Sequence, residues 1–170
     1  METVLPADIA QMAARVVAEN KAIGRTVAVA ESCTGGLVTA AITEVPGSSA
    51  ILGSGYVTYS NEAKMTMLGV NEDIIDTFGA VSVAVAWAMA QGALKKSGAD
   101  IAVAISGVAG PDGGTANKPV GTVVFAVALK GQNPEDVVGD KKAFGEDKSR
   151  ADIRAFATLY ALELLLPPAP

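Results

Sequence analysis

The chain has 170 residues, half of them hydrophobic but only 5% aromatic, so one domain over residues 1–170 with a core mainly of Ala, Val, Ile and Leu is expected. A net charge of −5, with no block of Lys or Arg, leaves no footprint for nucleic acid. With no histidine and one cysteine, the chain cannot form a Ser-His-Asp or Cys-His arrangement or an internal disulfide by itself, and imidazole-bound metals are not expected.

Residues Ala7 to Asn20 place Ile9, Met12, Ala13, Val16 and Val17 at helical spacing, with Gly24 as a stop. Thr26 to Ala30 reads as a buried strand. It opens into Glu31-Ser32-Cys33-Thr34-Gly35-Gly36, a glycine-rich turn carrying two candidate nucleophiles, Ser32 and Cys33. Gly36 to Val45 reads as a short helix ending before Pro46-Gly47, and Gly53 to Tyr59 as a strand. Two short helices follow, Asn61 to Leu68 and Asn71 to Phe78, the second closed by Gly79. Val83 to Lys96 reads as a helix capped by Ser82 and ended by Gly98.

Ile101 to Ile105 is a second apolar strand, followed by the loop SGVAGPDGGTANKP. Val120 to Leu129 reads as a further strand. Gly131 to Lys142 is polar and turn-rich, with no regular element expected. The last helix runs from about Ser149 to Leu165, and the tail PPAP is expected to fray. METVLPADIAQ lacks the basic and apolar regions of a signal peptide. The longest apolar stretch, Ala80 to Ala90, is shorter than the ~20 residues of a membrane span. A cytoplasmic chain without a membrane partner is therefore expected. The alternation of strands and helices argues an α/β layered sandwich, its mixed central sheet covered by helices on both faces.

In such sheets ligands sit beyond the carboxyl ends of the strands. Two glycine-rich turns, Glu31 to Gly36 and Ser106 to Gly114, follow two central strands and should share one edge. Glycine admits a ligand close to the backbone, and a helix starting near Gly36 would aim its free N–H groups at the same place. Neither turn matches a Walker A or a dinucleotide fingerprint.

Without imidazole, the best available base is Lys64, which Ser60 or Asn61 as N-cap places in the first turn of its helix. A cation there opposes the helix dipole. Acting as a base needs the neutral amine, and lowering a lysine pKa from ~10.4 to ~7.5 takes about 4 kcal/mol. Burial supplies part of this, and a nearby cation such as Arg150 or Arg154 would supply more. Either arginine would also suit a substrate phosphate. Tyr59 reads either as strand-end packing or as a proton relay between Ser32 and Lys64.

The segments AESCTGGLV, GYVTYSNEAK, GAVS, ISGVAGPDGG and KPVGTVVFAV together resemble the CinA carboxy-terminal domain family, in order and over roughly residues 8 to 166. The larger members of that family carry an additional amino-terminal domain, and its stand-alone members include nicotinamide-nucleotide amidases. The resemblance implies hydrolysis of nicotinamide mononucleotide to nicotinic acid mononucleotide and ammonia by a Ser/Lys mechanism with an assisting tyrosine. Motif by motif it points to Ser32, Lys64 and Tyr59 as catalytic, and to Arg150 in the last helix. Lys148-Ser149 stand where the family usually has Gly-Asp, so Arg154 stays open as an alternative.

Thr34, Gly35, Gly36, Ser106, Gly107 and Gly110 are then expected to bind the substrate. The expected partner is a small nucleotide, with no metal or organic cofactor. A non-catalytic nucleotide-binding module on the same loops is the competing reading. Packing of the Ala-rich helix on a second copy of the chain stays open.

Overall fold

The computed structural model describes residues 3–168. Its elements are α1 (Ala7–Ala22), β1 (Val27–Glu31), α2 (Leu37–Glu44), β2 (Leu52–Val57), α3 (Asn61–Leu68), α4 (Glu72–Phe78), α5 (Val83–Ser97), β3 (Ile101–Gly107), β4 (Thr122–Leu129), β5 (Val138–Ala143) and α6 (Arg150–Leu164). Ala169 and Pro170, half of the tail expected to fray, lie outside the described residues.

One five-stranded sheet has the order β2-β1-β3-β4-β5. β1 runs parallel to β2 and β3, while β3–β4 and β4–β5 are antiparallel. The sheet is therefore mixed, as expected. β5 departs from the expectation of a structureless 131–142 segment. It is an edge strand paired only with β4, and Gly139, Lys141 and the other residues of its sequence VGDKKA are mostly exposed. Edge strands carry charge that discourages further pairing, so β5 lacks the apolar alternation that marks a strand in sequence.

Side chains alternate across a strand, and here the alternation separates two kinds of core. Val27, Val29, Ile101, Val103, Ile105, Val123 and Phe125 face α1, α2 and α6. Ala28, Ala30, Ala102, Ala104, Ala126 and Ala128 face α5, with α3 and α4 beside it. α5 answers with Ala86, Ala90 and Ala93, so small residues meet small residues and the helix lies close to the sheet. α3 is drawn in as well: a Cβ at Gly92 of α5 would overlap the carbonyl of Leu68, the last residue of α3.

Because β2, β1 and β3 are parallel, their carboxyl ends share one edge. The turn after β1, the segment leading from β2 into α3, and the loop after β3 therefore converge there. Ser32 N–H donates to Ile105 O (3.0 Å), and Thr58 N–H donates to Glu31 O (2.8 Å), tying the three together.

Candidate active site

Ser32 is the first residue beyond β1, buried to 8% exposure. Lys64 reaches it from the first turn of α3, which Ser60 caps by accepting from Ala63 N–H. Lys64 is 1% exposed. Its Nζ lies 3.2 Å from Ser32 Oγ and donates to Thr58 O at 2.9 Å. Burial pushes the Lys64 amine below the usual lysine range. The expected contribution of an arginine is not found: burial lowers the amine, and the two arginines of α6 donate to other groups.

Cys33, the rival nucleophile, is also buried. Burial, reinforced by the charge of Glu31, pushes its thiol up to about 11. At neutral pH it stays protonated, and the thiol form is a poor nucleophile. The Tyr59 side chain is exposed at 61%, and its hydroxyl accepts from Arg150 Nη2 (3.0 Å). It makes no hydrogen bond to Ser32 or Lys64 among the described residues, and the direct lysine–serine contact bypasses it.

The two arginines of α6 divide their work. Arg150 Nη1 donates to Gly110 O (2.6 Å) and, through Tyr59, brackets the cavity mouth. Arg154 is half-buried and donates to Cys33 O (3.2 Å) and Thr34 O (3.1 Å), clamping the turn from behind. Both depend on where α6 begins. Ser149 caps the helix in a reciprocal arrangement with Asp152, so Lys148-Ser149 supply a helix start in their own right.

A cavity of about 240 Å³ opens at this edge. Of the residues singled out in the sequence, Ser32, Cys33, Lys64, Tyr59, Ser106, Gly107 and Arg150 line it; Thr34, Gly35, Gly36 and Gly110 do not. Asn61, Ala80, Val81 and Ala109 line it too and were not foreseen as site residues. Ser106 Oγ donates to Ala80 O (2.7 Å), which fixes the segment before α5 as a wall. The only hint of that wall in the sequence was the GAVS segment. A larger depression of about 500 Å³, around Pro111 to Ala116 and Glu146, contains no nucleophile paired with a base.

The expectation for the α2 N-terminus is corrected. Its donors do not face the cavity unpaired: Gly36 N–H and Val38 N–H donate to Glu31 Oε2 (2.9 and 3.2 Å), and Thr39 N–H donates to Oε1 (2.9 Å). Gly35 N–H donates back to Ser32 O (3.0 Å). Gly35 and Gly36 serve the backbone, with φ of 62° and 99° that reverse the chain between strand and helix. The N–H groups of Cys33 and Thr34, beside Ser32, donate to no carbonyl or carboxylate among the described residues. Among those residues no group of three His, Cys, Asp or Glu is placed to hold a metal ion, and no helix is long and apolar enough to cross a membrane.

A family model described as the CinA C-terminal domain matches residues 9–167. The nicotinamide-nucleotide amidohydrolase PncC of Escherichia coli strain K12 is 48% identical over 159 residues, covering 93% of each chain. A CinA-like protein of Mycolicibacterium vanbaalenii is 51% identical over 142 residues. The chain spans only 32% of that relative's length, and 28% of another from Symbiobacterium thermophilum. The crystal structure of the competence/damage inducible protein CihA from Agrobacterium tumefaciens superposes with a TM-score of 0.91 at 44% identity, covering 96% of this chain and 97% of that one.

Proposed function

The chain belongs to the CinA C-terminal domain family, and from that premise we propose that it is a nicotinamide-nucleotide amidase, hydrolysing nicotinamide mononucleotide to nicotinic acid mononucleotide and ammonia. The relative of matching length named for that activity supports the substrate. One observation carries the chemistry: a buried lysine amine 3.2 Å from a buried serine hydroxyl, in a chain without histidine.

In this mechanism neutral Lys64 removes the Ser32 proton as Oγ attacks the carboxamide carbon. The carbonyl oxygen becomes an oxyanion, for which the N–H of Cys33, at the cavity wall and donating to no carbonyl or carboxylate among the described residues, is the donor this reading uses. The Lys64 ammonium returns the proton to the amide nitrogen, the C–N bond breaks, and ammonia leaves. Water, deprotonated by Lys64, then cleaves the ester, and Ser32 regains its proton from the lysine. The ring and its carboxamide occupy the cavity, with the ribose phosphate at the mouth against the planar fork of Arg150. No metal or organic cofactor enters the reaction. A single buried cysteine suits the reducing cytoplasm.

Ammonia release from the mononucleotide, measured beside free nicotinamide and the dinucleotide, tests the reading. Release is expected from the mononucleotide, and Ser32→Ala should abolish it while the fold persists. Near wild-type release from Ser32→Ala would remove Ser32 as the nucleophile. Salt-sensitive nucleotide binding without ammonia would instead favour the binding module.

A further inference from the structure

Glu31 is completely buried yet has no cationic partner among the described residues. Its carboxylate accepts four hydrogen bonds, from Gly36 N–H, Val38 N–H, Thr39 N–H and Thr39 Oγ1 (2.7 Å). All four come from the start of α2, where helix donors lack partners of their own and the helix dipole favours a negative charge. The backbone of the same residue reaches the other half of the site. Glu31 O accepts from Thr58 N–H, and Thr58 O accepts from Lys64 Nζ. The next residue in the chain is Ser32.

One residue thus joins the serine, the helix behind the serine, and the peptide that orients the lysine. β2 makes room for it. A Cβ at Gly55 would come within 2.5 Å of Thr39 Oγ1, so the glycine lets the threonine hydroxyl stand against the strand and turn to Glu31.

We propose that Glu31, with Thr39, is the positioning residue of the reaction: its carboxylate locks the Ser32 turn onto α2 and so holds the serine hydroxyl within reach of Lys64. Glu31 does not line the cavity and touches no reacting atom. It acts through Ser32, and this rests on the serine–lysine reading above. A carboxylate is an acceptor on both oxygens; the amide of Gln is not. In Glu31→Gln the NH₂ must therefore face either the Gly36 and Val38 donors or the Thr39 donors. The turn then shifts, and a displacement near 1 Å at a reacting centre lowers turnover about 100-fold.

The test compares wild type, Glu31→Gln, Thr39→Val and Thr39→Ser by three readouts. These are kcat and KM for nicotinamide mononucleotide, the rate at which an alkyl fluorophosphonate labels Ser32, and amide exchange at Gly36, Val38 and Thr39. Glu31→Gln should lose about 100-fold in kcat and in labelling rate with KM little changed, while those three amides exchange faster. Thr39→Val should show the same pattern with a smaller loss, and Thr39→Ser, which keeps the hydroxyl, should recover most of it. If Glu31→Gln does not fold, the Thr39 pair decides.

Labelling and kcat at the wild-type level in Glu31→Gln, or in Thr39→Val where the first variant is unfolded, overturn the proposal. A loss confined to KM overturns it too. A wild-type chain that takes the label at Ser32 but releases no ammonia from the mononucleotide refutes the amidase reading alone, and the variant labelling rates still decide the role of Glu31. A wild-type chain that takes no label and hydrolyses nothing overturns both.

Discussion

Lys64 is an expensive residue to bury. An ordinary lysine is almost never fully buried without a partner of opposite charge, and this one is given only a carbonyl and a hydroxyl. Its pKa is lowered in the folded chain, so between that depressed value and the ordinary ~10.4 the unfolded chain binds more protons than the folded one. Stability must therefore rise with pH across that window, and the deficit is fully present below the folded value. Lys64→Met, which has no proton to lose, should flatten the slope. In urea titrations from pH 7 to 10, the wild-type midpoint should climb relative to the variant, and parallel curves would contradict a depressed lysine. Turnover should show the matching limb: wild-type kcat/KM rises with pH as the amine loses its proton, whereas Lys64→Met is inactive throughout. Spacing alone does not choose between serine and cysteine, because the two stand side by side in one turn; in the sequence only the family resemblance favours Ser32. Geometry separates them: Lys64 Nζ lies 3.2 Å from Ser32 Oγ and makes no hydrogen bond to Cys33 among the described residues, while burial holds the thiol at about 11.

At the scale of elements, α6 shows how one helix serves a site twice. Arg150 and Arg154 are four residues apart, on neighbouring positions of one helical face, so spacing alone could not separate them; only the family resemblance favoured Arg150. Docking of α6 sends the first to the cavity mouth and the second to the carbonyls behind Ser32. Arg150→Met should therefore raise KM for the mononucleotide about tenfold, the loss of roughly one charged contact of 1.5 kcal/mol, and should cost less stability than Arg154→Met, because it leaves one carbonyl, Gly110 O, without its donor rather than two. Arg154→Met should lower kcat and also destabilise the fold by about 1–3 kcal/mol, since it leaves two carbonyls without donors. Steady-state kinetics paired with thermal denaturation separate the two. An equal rise in KM from both variants, with no loss of stability, would end the division of labour. The helix start was legible in part: Ser149 three residues before Asp152 is a capping signature, and it places Arg150 at the first helical position.

Across the whole molecule, the sheet is a partition between two cores of different grain. β3 carries both on successive residues: Ala104 faces α5 and Ile105 faces the α1, α2 and α6 layer. Ala104→Leu forces extra volume into a close contact and should cost about 1–3 kcal/mol. Ile105→Ala leaves a void on the other side and should cost about 2–5 kcal/mol. The two changes nearly conserve total volume, yet the sheet lies between them, so the double variant should show the sum of the two losses. Urea unfolding measures this; recovery of stability in the double variant would mean that the partition leaks. In the proposed mechanism the close α5 face bears on turnover, because α3, which carries Lys64, is held against α5 at Gly92.

Alternating apolar runs, Ser and Asn caps and glycine stops are local signals, and they sufficed to read the α/β layering, the six helices and four of the five strands. The absence of histidine is a property of composition, and it leaves a lysine as the best available base. Tertiary structure decided the pairings: Glu31 with the α2 donors, Arg150 with Tyr59 and Gly110, and Arg154 with the turn, and it made the expected Lys64–Ser32 contact a direct one. Periodicity reports which face of an element is apolar. A hydrogen bond depends on two groups from distant parts of the chain arriving within about 3 Å of each other, and each polar side chain here had several chemically equivalent partners until the sheet order and helix docking left it one.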